Sequence, residues 1–234
     1  IYLAVHGERH PDTANAYNNN GNIYNSLGDN GKALDLYERA LRIRLDVLGE
    51  QHPSVASTYN NMAVAFEAQG EHGKALDHYE RALKIYLAVL GEQHQDTAMT
   101  YSNMAIVFEA QGDDGKALVY YERALKIQLA VLGEQHPNTA STYNNMANVY
   151  EAQGDYGKAL EHYERALRIK RAAYGEQHPE TATTKGNIGD VLCNMPGRKA
   201  EGKAMLQECV GIMTAALGEG HPDIGYFQSR LAGV

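Results

Sequence analysis

One tetrapeptide constrains this chain more than any other feature. Gly-Glu-Gln-His starts at Gly49, Gly91, Gly133 and Gly175, with the variants Gly-Glu-Arg-His at Gly7 and Gly-Glu-Gly-His at Gly218. Four successive intervals are 42 residues and the fifth, Gly175 to Gly218, is 43. Between these markers, Lys32-Ala33-Leu34 and Tyr37-Glu38-Arg39-Ala40-Leu41 return as blocks beginning at Lys74, Lys116 and Lys158. Tyr59-Asn60-Asn61-Met62-Ala63 returns at Tyr101 and Tyr143, with Ser102 the one change. A fixed period of this length marks a stacked array, because a single unit cannot bury its own apolar face. Residues 1–234 therefore read as one array with units 8–49, 50–91, 92–133, 134–175 and 176–218, flanked by the end of a preceding unit at 1–7 and the start of another at 219–234. Ile1-Tyr2-Leu3-Ala4-Val5 aligns with Ile85-Tyr86-Leu87-Ala88-Val89, so the array reads as cut from a longer one. Its uncovered apolar ends lead us to expect weak head-to-tail self-association.

Each unit reads as two helices. Pro53 to Gln69 places Ala56, Tyr59, Met62, Ala63 and Phe66 at steps of three and four, on a single helical face. Pro53 suits a first turn, Ser54 and its counterparts Asp12, Asp96 and Asn138 favour a helix start, and Gly70 a helix end. Lys74 to Leu90 turns Ala75, Leu76, Tyr79, Ala82, Leu83, Ile85, Leu87 and Leu90 inward before Gly91. The fifth unit departs: Lys185, Gly186 and Gly189 replace better-matched residues, and Met195-Pro196-Gly197-Arg198 lengthens the turn. The 43-residue offset puts Leu206 where Tyr163 stands and Cys209 where Ala166 stands.

The pattern Tyr59-x-x-Met62-Ala63-x-x-Phe66, followed by Ala75-x-x-x-Tyr79-x-x-Ala82, resembles the tetratricopeptide repeat, whose usual period is about 34 residues. The longer period, with Leu-Gly-Glu-Gln-His-Pro after an extended second helix, is similar to the kinesin light chain subtype. The resemblance implies an all-α right-handed solenoid of stacked antiparallel helix pairs, and a non-catalytic adaptor or scaffold for protein–protein interaction.

Composition closes off other classes. A net charge of −8 argues against nucleic acid, which calls for a basic footprint. No apolar run approaches the ~18 residues needed to span a bilayer, and the opening residues show no basic n-region or apolar h-region, so secretion is not expected. Two cysteines, Cys193 and Cys209, cannot make a disulfide framework and fit a reducing compartment, so a cytoplasmic location is expected. The histidines at 10, 52, 94, 136, 178 and 221 invite a metal hypothesis, but their even spacing reads better as a cap or brace at each interhelical corner. His72, His78 and His162 read as surface residues. Neither cysteine has a base beside it, and the glycines mark helix ends rather than a phosphate loop. We expect no catalytic residue, no metal and no cofactor.

Asparagine is the distinctive polar residue. Asn19, Asn61, Asn103, Asn145 and Asn187 hold one position in five first helices, preceded by Asn18, Asn60, Ser102, Asn144 and Gly186. Asparagine is a poor mid-helix residue, so a tertiary role must favour it. One role is bracing neighbouring helices. The other follows from the resemblance: kinesin light chains use the Asn of an Asn-Asn-Leu-Ala block to bond an extended cargo peptide in a concave groove, and Asn61, Asn145 and Ser102-Asn103 match that block with Met replacing Leu. The charges depart from that family. The first helices of units one to four contain no Lys or Arg, and Glu67, Glu109 and Glu151 stand one turn past the asparagines. Most basic residues, beginning Lys32, Arg39, Arg42 and Arg44, fall in second helices and should face outward, with Arg44 and Lys170 within reach of the groove rim. A groove made of Asn18, Asn19, Asn60, Asn61, Ser102, Asn103, Asn144, Asn145, Glu67, Glu109 and Glu151 should prefer neutral or basic peptides. The alternative is a structural spacer or self-associating rod without a peptide ligand.

Overall fold

The computed structural model describes Gly7 and residues 9–233; among them are eleven α-helices and no strand. They are α1 (Pro11–Ser26), α2 (Asn30–Leu48), α3 (Pro53–Ala68), α4 (His72–Val89), α5 (Gln95–Ala110), α6 (Asp114–Val131), α7 (Pro137–Ala152), α8 (Tyr156–Tyr174), α9 (Pro179–Cys193), α10 (Lys199–Leu217) and α11 (Pro222–Ala232). The helix tail expected at Ile1–Val5 lies outside the described residues. Two compact units meet at Ile127, within α6.

Every odd-numbered helix starts the same way. His10, His52, His94, His136, His178 and His221 are the N-caps of α1, α3, α5, α7, α9 and α11, each with Nδ1 accepting the backbone N–H two residues on at 3.1–3.4 Å. The cap is therefore the histidine itself, and Ser54 and its counterparts lie two residues inside it and supply the N–H that it accepts. This bond satisfies one of the four N–H groups that a helix start leaves open. Helices α2, α6 and α8 use carboxylates: Asp29, Asp113 and Asp155 accept from the backbone N–H of Lys32, Lys116 and Lys158, whereas Glu71 and Arg198 at the starts of α4 and α10 make no side-chain cap bond. Gly70 follows the last residue of α3 at φ 74°, a left-handed conformation that a side chain would strain.

In the first unit, Ala33 and Tyr37 of α2 pack on Met62 and Ala65 of α3, while Ala63, Ala75 and Tyr79 pack on Met104 and Val107 of α5. In the second, Ala147, Ala159 and Tyr163 meet Ile188 and Val191, and Leu206 and Cys209 join Ala182, Ile224 and Phe227. Alanines at the crossings let helix axes approach, and each crossing is then filled by one large ring. Tyr37, Tyr79, Tyr121 and Tyr163 are all essentially buried. Leu206 and Cys209, at the offset expected from the longer turn, are also fully buried.

Three expectations are corrected. Leu87 is 38% exposed, and Tyr86 beside it is buried instead, because the inward face of α4 drifts by one position at its end. His78 and His162 are half-buried rather than on the surface. Each donates from Nδ1 to the carbonyl four residues back, and packs between Tyr59 and Phe66 or between Tyr143 and Tyr150. Gly189 and Gly202 are matched to each other: a Cβ on Gly189 would lie 2.8 Å from the Gly202 carbonyl oxygen, so α9 and α10 touch backbone to backbone.

Candidate functional site

Spaced at 42 residues, the asparagine columns fall on equivalent turns of α1, α3, α5 and α7, yet their side chains do different things. Asn18 is buried and its Oδ1 accepts from Asn61 Nδ2 at 3.2 Å, tying α1 to α3 across one repeat. Asn144 accepts from Thr184 Oγ1 at 3.3 Å, tying α7 to α9. These are braces. Asn60 is buried with Oδ1 unpaired, and the Oγ of Ser102 is likewise buried without a partner. Asn19 is exposed, and Asn103 and Asn145 are half-buried with no side-chain hydrogen bond to a described residue. Within the first unit, Asn19, Asn60, Ser102 and Asn103 thus retain polar atoms that the fold does not use.

Glu67, Glu109 and Glu151 are half-buried, and burial pushes all three carboxyls above their ordinary range. Tyr121 donates its hydroxyl to Glu109 at 2.9 Å, and the single Tyr163 hydroxyl hydrogen is shared between Glu151 at 2.8 Å and Asn148 Oδ1 at 2.6 Å. Both bonds oppose the effect of burial. Tyr37 donates to Asn22 at 2.8 Å. Tyr79 breaks the series: Val64 stands where Asn22 and Asn148 stand, and its buried hydroxyl has no partner. Glu67 instead has His72 nearby, whose charge lowers its pKa against burial.

Arg44 is not at a rim. It is 7% exposed between α1 and α3, where Nη1 donates to the Ser54 carbonyl at 2.8 Å and to Thr58 Oγ1 at 2.6 Å, and Nη2 donates to Asn15 at 2.9 Å. Lys170 is equally buried and pairs with Glu180 at 2.8 Å. Lys185, on α9, is buried between Glu176 and Glu208; burial opposes its charge, but the two carboxylates outweigh that and hold the amine above its ordinary value. Sequence reasoning missed the column Arg44, Tyr86, Gln128 and Lys170. The available signal was that it differs in all four repeats while the position before it is isoleucine in every one, Ile43, Ile85, Ile127 and Ile169.

No group of three or more potential metal ligands gathers among the described residues. Cys209 is sealed in the core, where burial pushes its thiol up to about 12. No helix among the described residues is long and apolar enough to cross a membrane.

A tetratricopeptide repeat model matches residues 1–46, 12–88, 54–130, 96–172 and 138–215. No curated protein matches. Among solved structures, BtubC (BKLC) from P. vanneervenii is 30% identical over 86% of this chain and 80% of its own, with a TM-score of 0.74. A Podosopora anserina protein described as a kinesin light chain of nearly identical TPR-like repeats is 22% identical over 89% and 98%, with a TM-score of 0.72. A single-residue variant of that protein is also 22% identical, over 88% and 97%, with a TM-score of 0.73.

Proposed function

Because the chain belongs to the tetratricopeptide repeat family, we propose that it is a non-catalytic protein-interaction scaffold that takes an extended peptide along the asparagine-bearing first helices. The observation that carries this reading is the unused polar capacity on α3 and α5: Asn60 Oδ1 and Ser102 Oγ lack partners, and Asn103 makes no side-chain hydrogen bond. A buried polar atom left unpaired costs roughly 1–3 kcal/mol, so a ligand that lets these side chains turn and bond gains that amount. An extended backbone offers donors and acceptors at regular intervals and suits such a surface.

Charge supports neutral or basic ligands. The first helices of units one to four carry no Lys or Arg, and Arg44 has both Nη atoms occupied by the protein. Within the first unit, Glu67 and Glu109 add negative charge to α3 and α5. Panning the whole chain against a displayed library of random twelve-residue peptides should enrich neutral and Lys/Arg-containing sequences. Affinity for the basic ones should fall as salt rises. Asn103→Ala and Asn60→Ala should weaken the enriched peptides without lowering helicity. Enrichment of acidic peptides would sink the charge argument. No enrichment, together with light scattering that grows with concentration, would favour the spacer or self-associating rod.

A further inference from the structure

The first repeat contains a feature that its near-copies lack. Arg9, Tyr17, Arg39, Arg42, Ile43 and Asp46 enclose a cleft of about 430 Å³ between α1, α2 and the segment that precedes α1. The Arg39 guanidinium lies over the Tyr17 ring, 5.8 Å from its centroid. Among the described residues, none of the three guanidiniums is hydrogen-bonded or ion-paired, and all three side chains are exposed. Tyr17 leaves α1 from a different side than the helical stripe of Asn15, Asn18, Asn22 and Asn25, so this cleft is separate from the asparagine face.

The other repeats serve as internal controls. In the second, the equivalent cleft is lined by Leu45, Glu50, Gln51, Tyr59, Arg81, Lys84 and Ile85. There Gln51 replaces Arg9 and Lys84 replaces Arg42. The counterparts of Arg9 at the next three markers are Gln93, Gln135 and Gln177, and those of Asp46 are Ala88, Ala130 and Ala172. The Tyr–Arg stack itself is general, recurring as Tyr59–Arg81, Tyr101–Arg123 and Tyr143–Arg165. Only the first repeat adds two further guanidiniums around it. The described lining has three cations and one carboxylate. Glu8, the sequence counterpart of Glu50, lies outside the described residues, and counting it still leaves a net positive charge.

We propose that the Arg9–Arg39–Arg42 cleft is a binding site for a phosphate monoester. A guanidinium presents planar paired N–H donors that match phosphate oxygens two at a time, which the single ammonium of Lys84 and the neutral amide of Gln51 cannot reproduce. Three such forks around one cleft can engage all three terminal oxygens of a dianion, while the Tyr17 ring holds the Arg39 plane and forms an apolar wall. Arginine clusters are a recurring means of reading phosphorylated segments.

The test follows the arginine Nε–H signals of the 15N-labelled whole chain by NMR while inorganic phosphate replaces chloride at constant ionic strength. Arg9, Arg39 and Arg42 should shift together and saturate, with Arg81 unmoved. Arg9→Gln with Arg42→Lys, which installs the residues of the second repeat, should weaken the response by roughly tenfold or more. N-acetyl-phosphoserine amide and AMP are titrated alongside. Tighter binding of the phosphoserine compound points to a phosphate carried on a protein, tighter AMP to a nucleotide, and parity to free phosphate. All three support the site. Shifts that track Arg81, fail to saturate or persist in the double variant would overturn it, as would guanidinium signals already held in ion pairs with Asp46 and Glu8.

Discussion

Four buried tyrosines at equivalent positions allow the hydroxyl's worth to be measured against the same background. Tyr163→Phe removes a hydroxyl whose one hydrogen lies between the half-buried Glu151 carboxylate and Asn148. Tyr121→Phe removes one hydrogen bond, to Glu109, and Tyr37→Phe removes one to the neutral Asn22. A hydrogen bond to a charged group contributes about 1.5–3 kcal/mol and a neutral one about 1. The expected losses are therefore about 1.5–3 kcal/mol at positions 163 and 121 and about 1 at 37. Tyr79→Phe removes a hydroxyl with no partner in a site that is 0% exposed, so it should cost nothing and can stabilise by up to about 1 kcal/mol. Repeat arrays do not unfold in one cooperative step, so a single midpoint is a poor readout. Native-state amide exchange in α2, α4, α6 and α8, alongside urea titration with the slope monitored, assigns each loss to its own helix pair. If Tyr79→Phe costs as much as Tyr163→Phe, the hydroxyl of Tyr79 is satisfied by water or by a turned Glu67, and the reasoning fails.

Other outcomes follow from the same geometry. Glu67, Glu109 and Glu151 have folded-state pKa values raised by burial, so the folded chain holds more protons than the unfolded one just above the ordinary carboxylate range. Their contribution to stability is present below the unfolded value and is lost as pH rises through the folded one. Urea stability should therefore increase as pH is lowered from 7 toward 5, and Glu109→Gln with Glu151→Gln should flatten the rise. His52→Ala should cost about 1 kcal/mol through the lost cap, and His52→Asn should restore most of it, both read by exchange in α3. Gly202→Ala would place a methyl group against the Gly189 carbonyl and the Cys193 backbone; separating α9 from α10 should cost at least about 2 kcal/mol by thermal unfolding, whereas Gly211→Ala, with open space around it, should be neutral or stabilising.

The helix pairs were legible because their determinants are local and copied. A histidine-proline start, alanines at helical spacing and a glycine end each act within one turn, so a 42-residue echo of them is already the fold. The same holds for the packing of Leu206 and Cys209, where counting one extra residue was enough. The sites were half legible, for a physical reason. Asn18 and Asn60 are indistinguishable along the chain, and what separates them is which residue one repeat away reaches them. Asn61 reaches Asn18, whereas nothing bonds the Oδ1 of Asn60. Glu67 and Glu109 likewise face tyrosines flanked by aliphatic residues, Val64 and Ile106, yet only Glu109 accepts a tyrosine hydroxyl. Lys185 looked like a defect in a first helix until Glu176 and Glu208 were found on either side of it.

Near-identical repeats raise a problem that their cores cannot solve. If every junction buried the same alanines and tyrosines, any unit could dock on any other, and misassembly is a characteristic failure of repeat proteins. The column Arg44, Tyr86, Gln128 and Lys170 bears on this point, since all four are buried and no two share a side chain. Arg44 engages Ser54 and Thr58 of the helix that follows it, Tyr86 bonds Ser57 and senses Asp96, and Lys170 pairs with Glu180. Docking α3 or α7 in place of α9 would put Ser54 or Asn138 where Glu180 stands and leave the buried Lys170 without its carboxylate, whereas Thr58 recurs as Thr100, Thr142 and Thr184 and gives Arg44 no such discrimination. A buried ion pair contributes little to net stability, but unmatched it is costly, and that asymmetry discriminates between otherwise equal partners. Lys170 thus favours its own first helix, while the copied residues hold each pair together.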